Sequence, residues 1–132
     1  MASKILLVED DSDFRAVLAL ALELQGYLVC QVPGGYQAIN FLTNEQPDLI
    51  ISDLEMSGID GRALCKYIRQ ISALSDIPFI ILSAYVDPEG PGSLDDLPAD
   101  RVLSKQIPIS ELVRLVGELL ISTDGKPRSK LS

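Results

Sequence analysis

The sequence predicts a doubly wound α/β fold, and three observations lead to that prediction. Apolar segments with strand-like and helix-like patterns alternate along the chain. The strand-like segments are continuously apolar, which is typical of strands buried on both faces of a parallel sheet. Polar residues end several of these strands, at the edge where an open α/β sheet binds its ligands. A single domain of this class fits 132 residues, a length sufficient to bury a substantial core.

The first half of the chain contains three predicted strands and two predicted helices. Apolar residues recur at helical spacing in the first helix, and Gly26 predicts its end. The residues expected to face the core from this helix are Phe14, Val17, Leu18, Ala21 and Leu22. In chain order the strands and helices are predicted at 4–8, 14–22, 27–32, 38–42 and 48–53.

The second half continues the alternation. Asp60 predicts the N-terminal cap of a third helix. The core-facing residues of that helix are expected to be Leu64, Tyr67, Ile68 and Ile71. Strands are predicted at 77–82 and 101–104, and a last helix is predicted from the spacing of Leu112, Leu115, Val116, Leu119 and Leu120.

Two segments depart from this regular pattern. Prolines and glycines are frequent between Ser83 and Arg101, and an interior proline costs a helix about 3 kcal/mol. The helix in this segment is therefore predicted to be short or irregular, with one turn from Ser93 to Leu97. Residues 122–132 are polar and lack apolar spacing, so we expect a domain over 1–121 followed by a flexible tail or the start of a linker.

Composition and charge exclude several classes of function. The formal net charge of −8 argues against direct nucleic-acid binding, because that binding needs a basic surface. The chain has neither a signal-peptide pattern nor an apolar run long enough to span a bilayer, so membrane insertion is not expected and a cytoplasmic location is. Without histidine and without paired cysteines, zinc and disulfide sites are disfavoured, and Cys30 and Cys65 are expected to be buried free thiols.

The strand ends carry the residues on which a function can be built. Glu9 and Asp10 follow the first strand, Asp53 ends the third, Ser83 follows the fourth and Lys105 follows the fifth. Two like charges about 4 Å apart repel by about 4 kcal/mol at an effective dielectric near 20, so the clustered acids need a cation. Oxygen ligands and phosphate chemistry favour Mg²⁺, for which Mn²⁺ can substitute. Beside such an ion a carboxylate can act as a nucleophile towards a phosphoryl donor.

Four segments together resemble the receiver domain of two-component response regulators. They are Ile5–Asp11, Asp48–Gly61, Pro78–Ala84 and Leu103–Lys105, and the resemblance spans Lys4 to Ile121. It implies a flavodoxin-like, five-stranded parallel sheet in the order 2-1-3-4-5. It also implies a phosphorelay in which a sensor histidine kinase or a histidine phosphotransfer protein donates the phosphoryl group. The modified receiver then switches a protein–protein interaction, and Mg-dependent self-phosphorylation and slow autodephosphorylation are expected.

The same resemblance assigns roles by position. Asp53 corresponds to the phosphoacceptor, Ser83 to the switch hydroxyl and Lys105 to the invariant amine. The metal site corresponds to Glu9, Asp10, Asp53 and the backbone carbonyl of Glu55. Glu55 and Tyr85 also flank the expected path of attacking water, so Tyr85 is predicted to slow hydrolysis of the aspartyl phosphate.

The sequence departs from the family pattern near the fifth strand. Gln106 follows Lys105 where the family usually has a cis proline, and a cis bond before Gln106 would cost about 2.5 to 4 kcal/mol. Val102 occupies the position of the usual aromatic switch residue, so an aromatic flip cannot operate through it. These departures put the family's usual output face in question.

Other interpretations are weighed beside the phosphoacceptor. A receiver-like scaffold or dimerisation module that is rarely phosphorylated is the main alternative, and an aspartate-nucleophile phosphohydrolase is a weaker one. A flavin-binding module is disfavoured because the loop after the first strand is acidic. Ala16, Ala19 and Leu20 fall outside the predicted core stripe of the first helix, and in receivers this helix lies near the docking surface for the phosphodonor protein.

Overall fold

The fold is described from a computed structural model that covers residues 2–84 and 97–123. In the described ranges strands and helices alternate as the sequence predicts, and residues 85–96 between the last two strands lie outside those ranges. In chain order they are β1 Lys4–Val8, α1 Ser12–Glu23, β2 Leu28–Val32, α2 Gly35–Leu42, β3 Leu49–Asp53, α3 Gly61–Arg69, β4 Phe79–Ser83, β5 Arg101–Ser104 and α4 Ile109–Thr123.

The five strands form one parallel sheet in the order β2-β1-β3-β4-β5, which confirms the predicted fold class. In the register, Val8 of β1 lies beside Ser52, Asp53 of β3 lies beside Leu82, and Ser83 of β4 lies beside Ser104. Because all strands run in the same direction, the residues that end them meet at one edge of the sheet.

The sheet separates two apolar layers. Ile5 and Leu7 of β1 face the layer built with α1 and α4, whereas Leu6 and Val8 face the layer built with α2 and α3. The central strands β1, β3 and β4 are almost wholly buried, and the edge strands β2 and β5 are only partly buried. The prediction of strands buried on both faces is therefore confirmed for the three central strands and wrong for the two edges.

Caps and turns of the predicted kind bound the helices. Asp60 caps α3 by accepting a hydrogen bond from the Ala63 N–H at 2.8 Å. Asp11, which the sequence analysis did not single out, caps α1 through the N–H groups of Asp13 and Phe14. Gly26 follows α1 with a φ of +95°, a conformation that glycine adopts without steric cost.

The helix faces differ in part from the prediction. Val17 of α1 is 53% exposed and Tyr67 of α3 is 41% exposed, although both were assigned to the core. Ala19 and Cys65 are buried instead. The small side chain of Ala19 lets α1 lie close to the sheet, so the buried stripe is rotated towards Ala19 and away from Val17. Ala19 therefore cannot belong to an exposed docking face.

The bounds of β4 and α4 also differ from the predicted ones. Strand β4 begins at Phe79 rather than at residue 77, because Ile77 closes a turn through a hydrogen bond from its N–H to the Leu74 carbonyl. At its other end, β4 includes Ser83 as its last residue, whereas the prediction placed Ser83 just after the strand. Helix α4 extends to Thr123 and includes the first residues of the predicted tail.

Some predictions fall on residues outside the described ranges. The short helix expected after Ser83, Tyr85, and most of the polar tail lie in segments 85–96 and 124–132. In the described part of the chain no peptide bond is cis, so the Lys105–Gln106 bond is trans. Among the helices that are described, none has the length and apolarity needed to cross a bilayer.

Both cysteines are free. Cys65 is fully buried, as expected, and burial raises the pKa of its thiol to about 11. Cys30, on the edge strand β2, is only partly buried. A thiol that stays protonated at neutral pH is a poor nucleophile and metal ligand, so Cys65 has a packing role.

Candidate functional site

The carboxyl edge of the sheet brings together an amine and two buried acids. Glu9 directly follows β1, Asp53 ends β3 and Lys105 directly follows β5. The Lys105 Nζ atom lies 3.0 Å from Glu9 Oε1 and 3.1 Å from Asp53 Oδ2. The Glu9 and Asp53 side chains are 1% and 2% exposed, so one ammonium group compensates two carboxylates that have almost no contact with water.

A third acid completes the cluster. One carboxylate oxygen from each of Glu9, Asp10 and Asp53 lies within 4.8 Å of the other two. Asp10 is exposed at the mouth of the site. Beside it is an open cleft of about 600 Å³, bordered by Asp10, Glu55 and Arg62 among others. Of the three clustered acids, Asp10 is the one that borders this cleft.

Local hydrogen bonds fix the Glu9 backbone and side chain. The Arg15 Nη1 atom donates to the Glu9 carbonyl at 2.6 Å, and the Asp11 N–H donates to Glu9 Oε2 at 3.0 Å. The Glu9 N–H donates to the Val32 carbonyl at 3.1 Å. Glu9 is thus held in place, and this argues against the interpretation that Glu9 is a solvated loop residue.

Not all buried oxygens of the cluster are satisfied within the described ranges. Asp53 Oδ1 has no hydrogen-bond partner there. Glu9 Oε1 has only its ion contact with Lys105, which lacks the geometry of a hydrogen bond. An unsatisfied buried oxygen is costly, and in a native site it calls for a functional explanation such as an ion or a substrate.

The electrostatic environment agrees with an excess of negative charge. Burial, and then the neighbouring Asp53 charge, raises the pKa of Glu9 to about 7, although the Asp11 N–H and Lys105 act in the opposite direction. Burial and the Asp10 charge also raise the pKa of Asp53. Burial by itself would lower the pKa of Lys105, but the carboxylates of Glu9 and Asp53 outweigh it and raise that pKa. The site therefore favours the charged form of its amine and disfavours the ionised forms of its two buried acids.

The acids fit a divalent cation. All three clustered residues offer oxygen ligands, which Mg²⁺ prefers, and the unsatisfied Asp53 oxygen lies among them. Burial is the main cause of the raised pKa values of Glu9 and Asp53, and added positive charge would act against it by favouring the ionised carboxylates. The acidic pocket can therefore bind Mg²⁺ in chemical terms.

The Ser83 hydroxyl and the Glu55 side chain are joined by a hydrogen bond. Ser83 is fully buried at the end of β4, and its hydroxyl donates to Glu55 Oε2 at 2.9 Å. The Ala84 N–H points to Glu55 Oε1 at 3.4 Å. The Glu55 side chain is thus engaged with the end of β4, a contact that no sequence pattern predicts. Glu55 also borders the cleft, and the metal role of its backbone carbonyl stays a prediction.

Three supporting residues were missed by the sequence analysis. The Phe14 ring lies 5.3 Å from Lys105 Nζ, a distance suited to a cation–π contact. Arg15 holds the Glu9 carbonyl, as described above. Gly61 lies so close to the end of β3 that an added Cβ would overlap the Asp53 carbonyl oxygen. Glycine is needed at this position because the start of α3 packs closely on the end of β3. No local sequence pattern predicts that contact.

Of the two residues predicted to modulate the site, Val102 lies within the described ranges and Tyr85 does not. Val102 lies in β5, beside Ile81 in the register, and packs partly buried against the layer built with α2 and α3. It is a core-facing aliphatic residue, so its effect on signalling stays a prediction. Tyr85 lies outside the described ranges.

Comparison with known proteins gives a family match over most of the chain. The family model described as the response regulator receiver domain matches residues 5–117. A curated relative, the DNA-binding dual master transcriptional regulator RpaA of Synechocystis, is 31% identical over 96% of this chain. The match covers 52% of that relative, so this chain spans about half the length of the regulator.

Solved structures show the same fold. The signal receiver domain of a signal transduction histidine kinase from Syntrophus aciditrophicus has a TM-score of 0.88 and 35% identity, with 94% of each chain covered. The response regulator protein TrrA from Thermotoga maritima, in complex with Mg²⁺ and BeF, has a TM-score of 0.78 and 30% identity. That likeness covers 89% of this chain and 98% of TrrA.

Proposed function

This chain belongs to the response regulator receiver domain family of two-component systems, and from that membership we propose that Asp53 is its phosphoacceptor. One observation carries the proposal: Asp53 is a buried carboxylate with an oxygen that has no hydrogen-bond partner in the described ranges, between an ammonium group and two further acids. An ionised carboxylate oxygen without a hydrogen-bond partner is available to attack phosphorus, and a bound cation would favour the ionised form.

The proposed reaction is a phosphoryl transfer. Asp53 Oδ1 attacks the phosphorus of a phosphohistidine and forms a P–O bond. The P–N bond breaks, and its electron pair stays on the imidazole nitrogen that leaves. Positioning and charge neutralisation carry this type of transfer, because its transition state spreads negative charge over the phosphoryl oxygens.

The surrounding residues divide this work. Lys105 supplies a positive contact, and Ser83 supplies a hydroxyl donor to the product phosphoryl group. Glu9, Asp10, Asp53 and the Glu55 carbonyl would hold Mg²⁺ or Mn²⁺, which when bound neutralises charge on the transferring oxygens. The presence of Mg²⁺ and BeF in the related TrrA structure supports this assignment.

We test the acceptor by incubating the protein with Mg²⁺ and acetyl phosphate and measuring its intact mass. The wild type is expected to gain one phosphoryl group and Asp53→Asn none. Asp13→Asn, which removes an exposed acid of α1 outside the cluster, is the control and should gain the group as the wild type does. A wild type that gains nothing would favour the scaffold, and rapid release of phosphate from phosphomonoesters would favour the phosphohydrolase.

The proposed partners are a sensor histidine kinase or a histidine phosphotransfer protein and an unidentified downstream protein. The relative RpaA is a DNA-binding regulator, but this chain matches only half of it and carries a net charge of −8, so nucleic acid is not a proposed direct partner. A cytoplasmic location is proposed because it suits such partners. We assign the chain through the end of α4 at Thr123 to the receiver, two residues beyond the predicted boundary, and the polar residues after it to a tail or the start of a linker.

Helix α1 is the proposed docking face for the phosphodonor protein. Val17, Leu20 and Leu24 recur at helical spacing and are 53%, 58% and 74% exposed. Leu20→Glu is expected to slow phosphorylation by a phosphohistidine kinase several-fold and to leave phosphorylation by acetyl phosphate unchanged. Ile121→Glu, on the exposed side of α4, is the control for added charge. Equal kinase-dependent rates in all three proteins would rule out this face.

The lifetime of the phosphorylated state provides a further test. Tyr85→Ala is expected to shorten it, because the ring is proposed to shield the aspartyl phosphate from water. An unaltered decay rate, measured by the loss of the phosphoryl mass with time, would refute the shielding role.

A further inference from the structure

We propose that the Glu55 side chain is an internal competitor of the phosphoryl group, since it engages the Ser83 hydroxyl and the Ala84 N–H in the unmodified receiver. Phosphorylation of Asp53 must then transfer the Ser83 hydroxyl from Glu55 to the phosphoryl oxygens. Glu55 is in this sense a positioning residue that acts through Ser83. The inference rests on the proposed phosphoacceptor role of Asp53.

The sheet register places these groups beside one another. Asp53 lies beside Leu82, and the Leu54 N–H donates to the Leu82 carbonyl at 2.8 Å. The chain segment after β3 therefore runs alongside the last residue of β4, and Glu55 arrives opposite Ser83. The contact follows from the backbone pairing of two central strands.

The chemistry makes the two acceptors mutually exclusive. A serine hydroxyl has one proton to donate, so Ser83 cannot serve the Glu55 carboxylate and a phosphoryl oxygen at the same time. A carboxylate with two oxygens that accept from a hydroxyl and an N–H imitates two oxygens of a phosphoryl group. Glu55 thus occupies donors that the product of the reaction requires.

Exposure and charge make the contact reversible. Ser83 is fully buried, but Glu55 is exposed and can turn into the adjacent cleft without losing water. A phosphoryl group on Asp53 adds negative charge a short distance away, and that charge repels the Glu55 carboxylate. The release of Glu55 would alter the surface of the cleft, where a partner can detect it.

The contact can be tested first in the unmodified protein without Mg²⁺. Three-bond couplings in NMR spectra report the Ser83 χ1 angle, and the amide shift reports the Ala84 N–H. The wild type is expected to show one χ1 rotamer, and Glu55→Ala is expected to show different couplings together with a shift of the Ala84 amide. Glu55→Gln keeps an acceptor oxygen and should retain the single rotamer. Unchanged couplings in Glu55→Ala would overturn the proposal.

A double-mutant cycle then measures competition with a phosphoryl analogue. Affinity for beryllofluoride with Mg²⁺ is measured for the wild type, Ser83→Ala, Glu55→Ala and the double variant. The loss of affinity on removing the Ser83 hydroxyl should be at least three-fold larger in the Glu55→Ala background. The Ser83→Ala background removes the general effect of the Glu55 charge, and equal losses in both backgrounds would contradict the competition.

The two measurements keep the inference separate from the proposed function. A wild type that binds no beryllofluoride counts against Asp53 as phosphoacceptor. The Ser83 rotamer in the unmodified protein then decides the Glu55 contact by itself, because it needs neither metal nor phosphoryl chemistry.

Discussion

Two ionic clusters lie at opposite ends of the same sheet, one partly buried and one built around two buried acids. At the amino end, Arg69 of α3 pairs with Asp100, which precedes β5, at 3.0 Å. At the carboxyl end, Lys105 pairs with both Glu9 and Asp53. One cluster balances its charges and the other contains more acids than bases.

The amino-end cluster satisfies its groups with backbone partners. The Arg69 guanidinium donates to the carbonyls of Pro98, Ser75 and Ile77 as well as to Asp100. Asp100 Oδ2 also accepts a hydrogen bond from the Phe79 N–H at 2.8 Å. These bonds join α3 to the starts of β4 and β5, so this cluster stabilises the fold.

The difference shows how a buried charge can be assigned to structure or to function. A structural ion pair has its donors and acceptors matched, because an unmatched buried group costs free energy. The carboxyl-end cluster instead has an oxygen without a hydrogen-bond partner in the described ranges and acids whose pKa values are raised. Such a cluster stores unfavourable free energy that a bound cation would release.

The largest expected effect is at the amino end. Arg69→Met removes the donors of several carbonyls and the guanidinium that pairs with Asp100, so we expect a loss of about 3–5 kcal/mol in the free energy of unfolding. Urea unfolding measures it. Arg114→Met removes an exposed pair with Glu118 and should cost under about 0.5 kcal/mol. Equal losses of unfolding free energy in the two variants would contradict a structural role for Arg69.

The second effect is a pH dependence at the carboxyl end. The pKa of Glu9 is raised from 4.5 to about 7, so between these values the folded state binds more protons than the unfolded state. The metal-free protein should therefore lose stability as pH rises through this window, by up to about 3 kcal/mol, and the raised pKa of Asp53 acts in the same direction.

Unfolding free energies at pH 5 and pH 7.5 measure this slope. Glu9→Gln cannot titrate at this position and should show less of the loss than the wild type does. Saturating Mg²⁺ should also reduce the loss, since the ion favours the ionised acids. A wild type whose slope equals that of Glu9→Gln would show that Glu9 does not contribute.

A smaller effect is expected when one acid is neutralised. Asp53→Asn leaves one amine with one buried acid, so it should raise the metal-free unfolding free energy by about 1 kcal/mol at pH 7.5. Thermal unfolding with and without Mg²⁺ tests this. Mg²⁺ at ten times its Kd should add about 1.4 kcal/mol to the wild type and much less to the variant. A variant less stable than the metal-free wild type would mean that the cluster is not strained.

The smallest effect concerns the support of Lys105. Phe14→Leu removes the aromatic face beneath the ammonium, a contact worth about 0.5–1 kcal/mol, and should slow phosphorylation by acetyl phosphate about two- to five-fold. Phe41→Leu is the matched control, because Phe41 packs against the opposite layer. Equal rates for the two variants would leave Phe14 with a packing role only.

The sequence predicted the fold where apolar pattern and chain direction suffice. The bounds of β1 and β5 agree with the prediction. Strand β4 starts later than predicted, because the apolar side chain of Ile77 is buried in a turn and not in a strand. The orientation of α1 also differed, since hydrophobicity favours Val17 over Ala19 while close packing favours the smaller side chain. Contacts between layers decide such choices.

The site could be predicted in part for the same reason. Parallel strands bring their ends together, so the meeting of Glu9, Asp53 and Lys105 followed from the order of residues. The Glu55–Ser83 hydrogen bond depends on side-chain rotamers and on strand register. No local pattern encodes either of these.

Gly61 bears on which substitutions this chain can tolerate. A methyl group at this position would overlap the Asp53 carbonyl oxygen and lie 2.9 Å from the Leu54 Cα atom, and both are backbone atoms that cannot rotate away. In a randomised library screened only for soluble expression, glycine should therefore be recovered at position 61 without any selection for signalling. Invariance at this position would report the clearance between a helix and a strand, and it would be a mistake to count it as a sign of chemistry.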